Sequence, residues 1–147
     1  MKMTRDPLEL LLVEDTLTDV LLTRQCLEEA KLPHHLHVAR DGVDAIKFLR
    51  KQDEFSDAIR PDLILLDLNM PKRDGFSVLQ EIKRDDDLKR IPVVVLTTST
   101  DQDDIDRAYN LHASSYLTKP VSFEEFVNEV ARGIKDYWFK VVRLPTR

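Results

Sequence analysis

The stretch PDLILLDLNMP, residues 61–71, decides how this chain folds. Its four consecutive apolar residues, Leu63 to Leu66, have the length and continuity of a strand covered on both faces, yet the run stops on a carboxylate, Asp67. Similar short runs occur at 9–13, 36–39, 93–96 and 115–118. Between them the apolar spacing changes to three and four, the period of an amphipathic helix: Leu22, Cys26 and Ala30; Ala45, Ile46 and Leu49; Val78, Leu79 and Ile82; Ile105, Ala108 and Tyr109; then Phe123, Phe126, Val127, Val130 and Ile134. Strands alternating with helices predict an α/β domain of three layers, with five helices packed on a five-stranded parallel sheet.

Local signals agree with this division. Asp41-Gly42 and Asp74-Gly75 stand just ahead of helical patterns, and Ser122 with Glu125 forms a capping box at the start of the last one. The acidic run 101–104 suits the positive end of a helix dipole. Residues 51–60 form a polar connection longer than most, and the tail from Tyr137 is too apolar for a free end. That tail, about 137–147, is expected to fold back on the last helix or to cover a second subunit. No repeat, low-complexity tract or linker divides the chain, so 1–147 reads as a single domain with an apolar extension and no output domain.

Composition narrows the classes. The net charge of −5, with scattered basic residues, argues against a nucleic-acid surface. Cys26 is the only cysteine, which excludes an internal disulfide and suits a reducing, cytoplasmic setting; its helical spacing places it in the core. No run approaches a membrane span. His34 and His35 fall in a polar turn, and neither they nor His37 and His112 have metal-ligand spacing, so surface or half-buried roles are expected.

The strand ends carry the chemistry. The first run stops at Glu14-Asp15, the third at Asp67, the fourth at Thr97-Thr98 and the fifth at Lys119-Pro120. In an open parallel sheet these residues meet at the carboxyl edge, where such folds gather their function. Two ionised carboxylates ~4 Å apart repel by ~4 kcal/mol at an effective dielectric near 20, so three in one pocket need a cation. Mg²⁺, a hard ion with oxygen ligands, fits this donor set, and Lys119 adds a point charge. A carboxylate beside a metal and an amine can accept a phosphoryl group as an aspartyl phosphate. Asp67, at the end of the most apolar strand, is the better nucleophile; the adjacent Glu14 and Asp15 suit the metal.

These motifs together resemble the receiver domain of two-component response regulators. The resemblance rests on Leu-Val-Glu14-Asp15, Leu-Asp67-Leu-Asn-Met-Pro-Lys-Arg-Asp-Gly75, Val-Leu-Thr97-Thr-Ser and Tyr116-Leu-Thr-Lys119-Pro120, and it covers nearly the whole chain. It implies a flavodoxin-like sheet of order 2-1-3-4-5. Asp67 resembles the phosphoacceptor. Glu14, Asp15, Asp67 and the backbone carbonyl of Asn69 resemble the Mg²⁺ site. Thr97 resembles the switch hydroxyl, Lys119 the phosphate-binding amine, and Tyr116 the aromatic that moves with Thr97. Asn69 and Ser99 stand where the family tunes phosphate lifetime, and the Lys119-Pro120 bond is expected to be cis. Glu14 departs from the aspartate that many receivers carry, which lengthens its reach to the metal.

The stretched segment 48–67, the run 88–99 and the apolar tail resemble the single-domain regulators that serve cyanobacterial phytochrome-type histidine kinases. The resemblance implies such a kinase as partner, and output through protein contacts instead of DNA. The tail suggests a homodimer through the face of the fourth helix, fifth strand and fifth helix. The protein would then be no enzyme beyond self-catalysed phosphotransfer and autodephosphorylation. Two other classes are weaker. A phosphohydrolase of the haloacid dehalogenase type needs a second aspartate two residues after its nucleophile, where this chain has Asn69. A nucleotide or flavin binder lacks support, because the three glycines form neither a P-loop nor a GxGxxG.

Overall fold

A computed structural model of the protein describes residues 7–29, 31, 33–70, 74–119 and 124–125. Five strands, β1 (Leu8–Val13), β2 (His34–Ala39), β3 (Leu63–Leu66), β4 (Val93–Thr97) and β5 (Ser115–Thr118), form one parallel sheet of order β2-β1-β3-β4-β5. Four helices are present among the described residues: α1 (Leu17–Glu29), α2 (Gly42–Leu49), α3 (Gly75–Arg84) and α4 (Gln102–Asn110). Five were expected. Apart from Glu124 and Glu125, the segment of the fifth lies outside the described residues, as do Ser122 of the capping box, the Lys119-Pro120 bond and the tail.

Strand alternation divides the core between the two faces of the sheet. Leu11, Val13, Ile64, Leu66, Val93 and Val95 pack with Ala45, Phe48, Val78, Leu79, Ile82 and Ala108 from α2, α3 and α4. Leu8, Leu10, Leu12, Leu63, Leu65, Val94 and Leu96 pack with Val20 and Leu27 of α1. Each such side chain stabilises the fold by about 1.5–3 kcal/mol relative to exposure. Every residue of β1, β3 and β4 is buried, including Glu9 of β1 and Thr97 of β4.

Helix starts follow the turn residues. The carboxylates of Asp41, Asp74 and Asp101 accept from the backbone N–H groups of Asp44, Ser77 and Asp103, giving α2, α3 and α4 their N-caps. Gly75 is required by packing: a Cβ there would lie 2.5 Å from the Asp67 carbonyl oxygen and from Leu68 Cα. The N-terminus of α3 therefore sits directly on the chain leaving β3. The polar connection 51–60 contains a single 3₁₀ turn, Asp53–Phe55, whose Phe55 packs edge-on against Phe48.

Three expectations are corrected. His34 and His35 belong to β2, not to a turn, because Glu9 on the neighbouring strand accepts from His35 Nδ1 and His37 Nε2, each at 2.8 Å. On α1 the buried positions are Val20 and Leu27; Leu22 is 54% exposed, and Cys26 is half-buried against that core. On α4 only Ala108 is buried, Ile105 is intermediate, and Tyr109 is 47% exposed.

Candidate phosphoacceptor and metal site

The sheet's hydrogen bonding continues one residue past its strands and so fixes the site. The N–H of Glu14 donates to Ala39 O at 3.0 Å, that of Asp67 to Val13 O at 3.0 Å, and that of Lys119 to Thr97 O at 2.8 Å. Each chemically active side chain thus leaves a backbone already tied to the adjacent strand. The apolar residues behind them bury Glu14 to 1% exposure and Asp67 to 6%.

Carboxylate oxygens of Glu14, Asp15 and Asp67 all lie within 4.8 Å of one another. Into this group comes Lys119. Its Nζ donates to Glu14 Oε1 and, at 3.0 Å, to Asp19 Oδ2, and it stands 3.8 Å from Asp67 Oδ2. Burial raises the Glu14 carboxyl to about 7; the Lys119 hydrogen bond pulls it down, and the Asp67 charge pushes it back up. Burial likewise raises Asp67, with the Lys119 charge only partly offsetting it. Burial disfavours the Lys119 ammonium, but its bonds to Glu14 and Asp19 and the Asp67 charge outweigh that and raise it overall. The pocket is short of positive charge, and an oxygen-seeking divalent cation fits its donors.

A second line of bonds leaves the acids through the loops. Asn69 donates its backbone N–H to Asp67 Oδ1 at 3.2 Å and its side-chain amide to Thr97 Oγ1 at 3.1 Å. Thr97 is fully buried. Ser99 donates its hydroxyl to Asp104 Oδ2 at 2.7 Å on α4, and its carbonyl accepts from the Tyr116 hydroxyl at 3.0 Å. Tyr116 is half-buried and packs against the core under α4, so its ring spans from that core to the Ser99 loop.

The structure therefore gathers Glu14, Asp15, Asp67 and Lys119 at one point, links Asn69 to Thr97, and joins Tyr116 to Ser99 two residues beyond Thr97. Residues 10–131 match the response regulator receiver domain. The chain belongs to the receiver family. This receiver is 48% identical to the response regulator Rcp1 of Synechocystis sp. (strain ATCC 27184 / PCC 6803 / Kazusa) over 139 residues, 95% of this chain and 94% of that protein. It is similar to the phosphorylated cyanobacterial phytochrome response regulator RcpA, with a TM-score of 0.78 and 45% identity over 91% of this chain and 95% of that one. It is also similar to the Mn²⁺-bound form of Rcp1, with a TM-score of 0.77 and 46% identity, covering 95% of this chain and 100% of that one. These relationships make it a two-component response regulator receiver and give the haloacid dehalogenase reading no support.

Sequence reasoning about this receiver missed Asp19. The residue follows Asp15 by four positions in the first turn of α1, a spacing that could have suggested a second acid near the strand end.

Proposed function

We propose that this receiver accepts a phosphoryl group on Asp67 from the phosphohistidine of a histidine kinase. The observation that carries the proposal is the Lys119 ammonium, held between Glu14 and Asp19 and 3.8 Å from the buried Asp67 carboxylate. An Asp67 oxygen attacks phosphorus; the O–P bond forms as the P–N bond breaks, and that electron pair stays on the imidazole. The Asp67 backbone is pinned by its N–H bond to Val13 O and its Oδ1 is held by the Asn69 N–H, so the nucleophile is restrained before a donor arrives. Lys119 offers its charge to the transferred group. Thr97, an acceptor for Asn69, still has its own proton to donate to a phosphoryl oxygen.

Glu14, Asp15, Asp67 and the Asn69 carbonyl would hold Mg²⁺, whose charge would offset the phosphoryl oxygens during transfer. Water attack on the acyl phosphate later restores Asp67 and releases inorganic phosphate, so the protein acts on itself and is no enzyme toward an outside substrate. Asn69 and Ser99 tune that lifetime, and Tyr116 carries the change toward α4. Likeness to Rcp1 and RcpA supports a phytochrome-type kinase as donor. Leu17, Leu21 and Leu22, exposed on α1 next to the site, offer the kinase an apolar surface.

The cytoplasm, where a histidine kinase presents its phosphohistidine, is the setting this function requires. The receiver's output passes through protein contacts, including a homodimer through the α4–β5 face. The exposed Tyr109 ring and the apolar character of 137–147 support that interface. Incubation with radiolabelled acetyl phosphate and Mg²⁺ tests the central claim. Wild-type protein should take up about one equivalent and Asp67→Asn none; undiminished labelling of the variant would refute it.

A further inference from the structure

Lys119 has three N–H donors, and this structure shows where two of them go: to Glu14 and to Asp19. Glu14 has a place in the metal and phosphoryl site already. Asp19 has none, because its carboxylate is absent from the cluster that Glu14, Asp15 and Asp67 form. It is nevertheless nearer to the ammonium, at 3.0 Å, than Asp67 is, at 3.8 Å.

Its location explains how it reaches. Asp19 lies in the first turn of α1, which begins two residues after Asp15, so its backbone is set by the same strand end that fixes Glu14. The Lys119 side chain is 14% exposed and that of Asp19 is 31% exposed. The pair is therefore partly shielded, where attraction is stronger than on an open surface.

We propose that Asp19 is a positioning residue that parks the Lys119 ammonium in the resting receiver. A group arriving on Asp67 must then draw the amine out of its pair with Asp19. The inference rests on Asp67 being the phosphoacceptor. It gives the site a built-in resistance to activation: the amine that stabilises the phosphorylated form is also bonded to a carboxylate that the phosphorylated form does not use. Removing the Asp19 charge leaves the amine held by Glu14 alone, inside the site, and the affinity for a phosphoryl group should rise. A merely structural role for Asp19 has the opposite sign, since a disturbed α1 would weaken the site.

The test compares wild type, Asp19→Asn and Asp19→Glu at saturating Mg²⁺ by titration with beryllofluoride, a mimic of the phosphoryl group. Asp19→Asn is expected to lower the half-saturating concentration by about three- to tenfold, an electrostatic effect moderated by the partial exposure of the pair. Asp19→Glu, which keeps the charge, should stay within about twofold of wild type. The ¹⁵N resonance of the Lys119 ammonium should differ between wild type and Asp19→Asn without beryllofluoride and coincide once it is bound. Unchanged or weaker beryllofluoride binding in Asp19→Asn overturns the inference, and so does a resting Lys119 resonance that the substitution leaves in place. Asp67→Asn separates the two levels. If it still binds the mimic, or if wild type does not bind it, the phosphoacceptor reading itself fails.

Discussion

Metal binding to this receiver should release a proton near neutrality, and Glu14 is the reason. Its carboxyl is raised from 4.5 to about 7, first by burial and then by the neighbouring Asp67 charge, against the pull of Lys119. A carboxylic acid has to lose its proton before it can coordinate a hard cation, so apparent affinity follows the deprotonated fraction. For a group titrating near 7 that fraction is ~0.9 at pH 8 and ~0.1 at pH 6, so Mg²⁺ affinity should fall about tenfold between them. Isothermal titration at both pH values, in buffers of different ionisation enthalpy, measures the affinity and the proton released together. The metal-free protein should show the opposite trend. A carboxyl whose folded-state value lies above its unfolded value contributes stability that is full below about 4.5 and is lost as pH rises through about 7. The rise in Tm caused by saturating Mg²⁺ should accordingly be larger at pH 8 than at pH 6. Glu14→Gln should bind Mg²⁺ more weakly and with little pH dependence over this range. An equal affinity at pH 6 and pH 8 in the wild type, or an undiminished dependence in Glu14→Gln, would refute the reasoning.

Gly75→Ala should destabilise the protein by about 2–3 kcal/mol, lowering Tm by roughly 5–10 °C, since its Cβ meets backbone atoms that cannot rotate away. The same clash, 2.5 Å from the Asp67 carbonyl oxygen, should weaken Mg²⁺ binding as well; thermal melts and metal titration read the two effects, and a wild-type Tm would contradict the packing argument. At the other end of the sheet, burial raises Glu9 but its bonds to His37 and His35 outweigh that and hold it below 4.5. That contribution is present above about pH 4.5 and is lost as pH falls through the folded-state value. Glu9→Gln should therefore cost about 1–2 kcal/mol at pH 7 and progressively less in acid, as urea melts at pH 7 and pH 3.5 would show. A constant difference across that range would exclude the charged carboxylate's bonds to His35 and His37 as its source.

The parts of this architecture that could be read from the sequence are those dictated by the immediate neighbours in the chain. Leu63–Leu66 is continuous because both faces of β3 are covered, and the acid that ends it is conspicuous against that run. Asp41, Asp74 and Asp101 are caps whose partners lie two or three residues away. What the sequence concealed depends on distant partners. His34 and His35 look like turn residues until Glu9, across the strand pair, accounts for His35 and His37. The phase of α1 was obscured by Leu17, Leu21 and Leu22, all exposed, so the buried stripe through Val20 and Leu27 carried little contrast. Asp19 was hidden for a similar reason: its partner, Lys119, is 100 residues away.

Under the proposed reading of Thr97 as the switch hydroxyl, Asn69 supplies its link to the acids. Thr97 is buried and its oxygen accepts from the Asn69 amide, while the Asn69 N–H is bonded to Asp67 Oδ1. A hydroxyl accepts two bonds and donates one, so Thr97 can keep Asn69 while turning its proton to a new acceptor on Asp67. A pull on Thr97 Oγ1 itself would reach the loop after β4, where the N–H of Ser99 lies 3.5 Å from that oxygen and the Ser99 hydroxyl donates to Asp104 of α4. The Ser99 carbonyl holds Tyr116 as well, so one short loop carries both contacts to the α4 face. Each bond is worth only about 1 kcal/mol, comparable to the difference needed to shift a two-state equilibrium severalfold. A chain of weak bonds on a rigid sheet edge is therefore better suited to switching than a single strong one, because a change at Asp67 need only outweigh them one at a time.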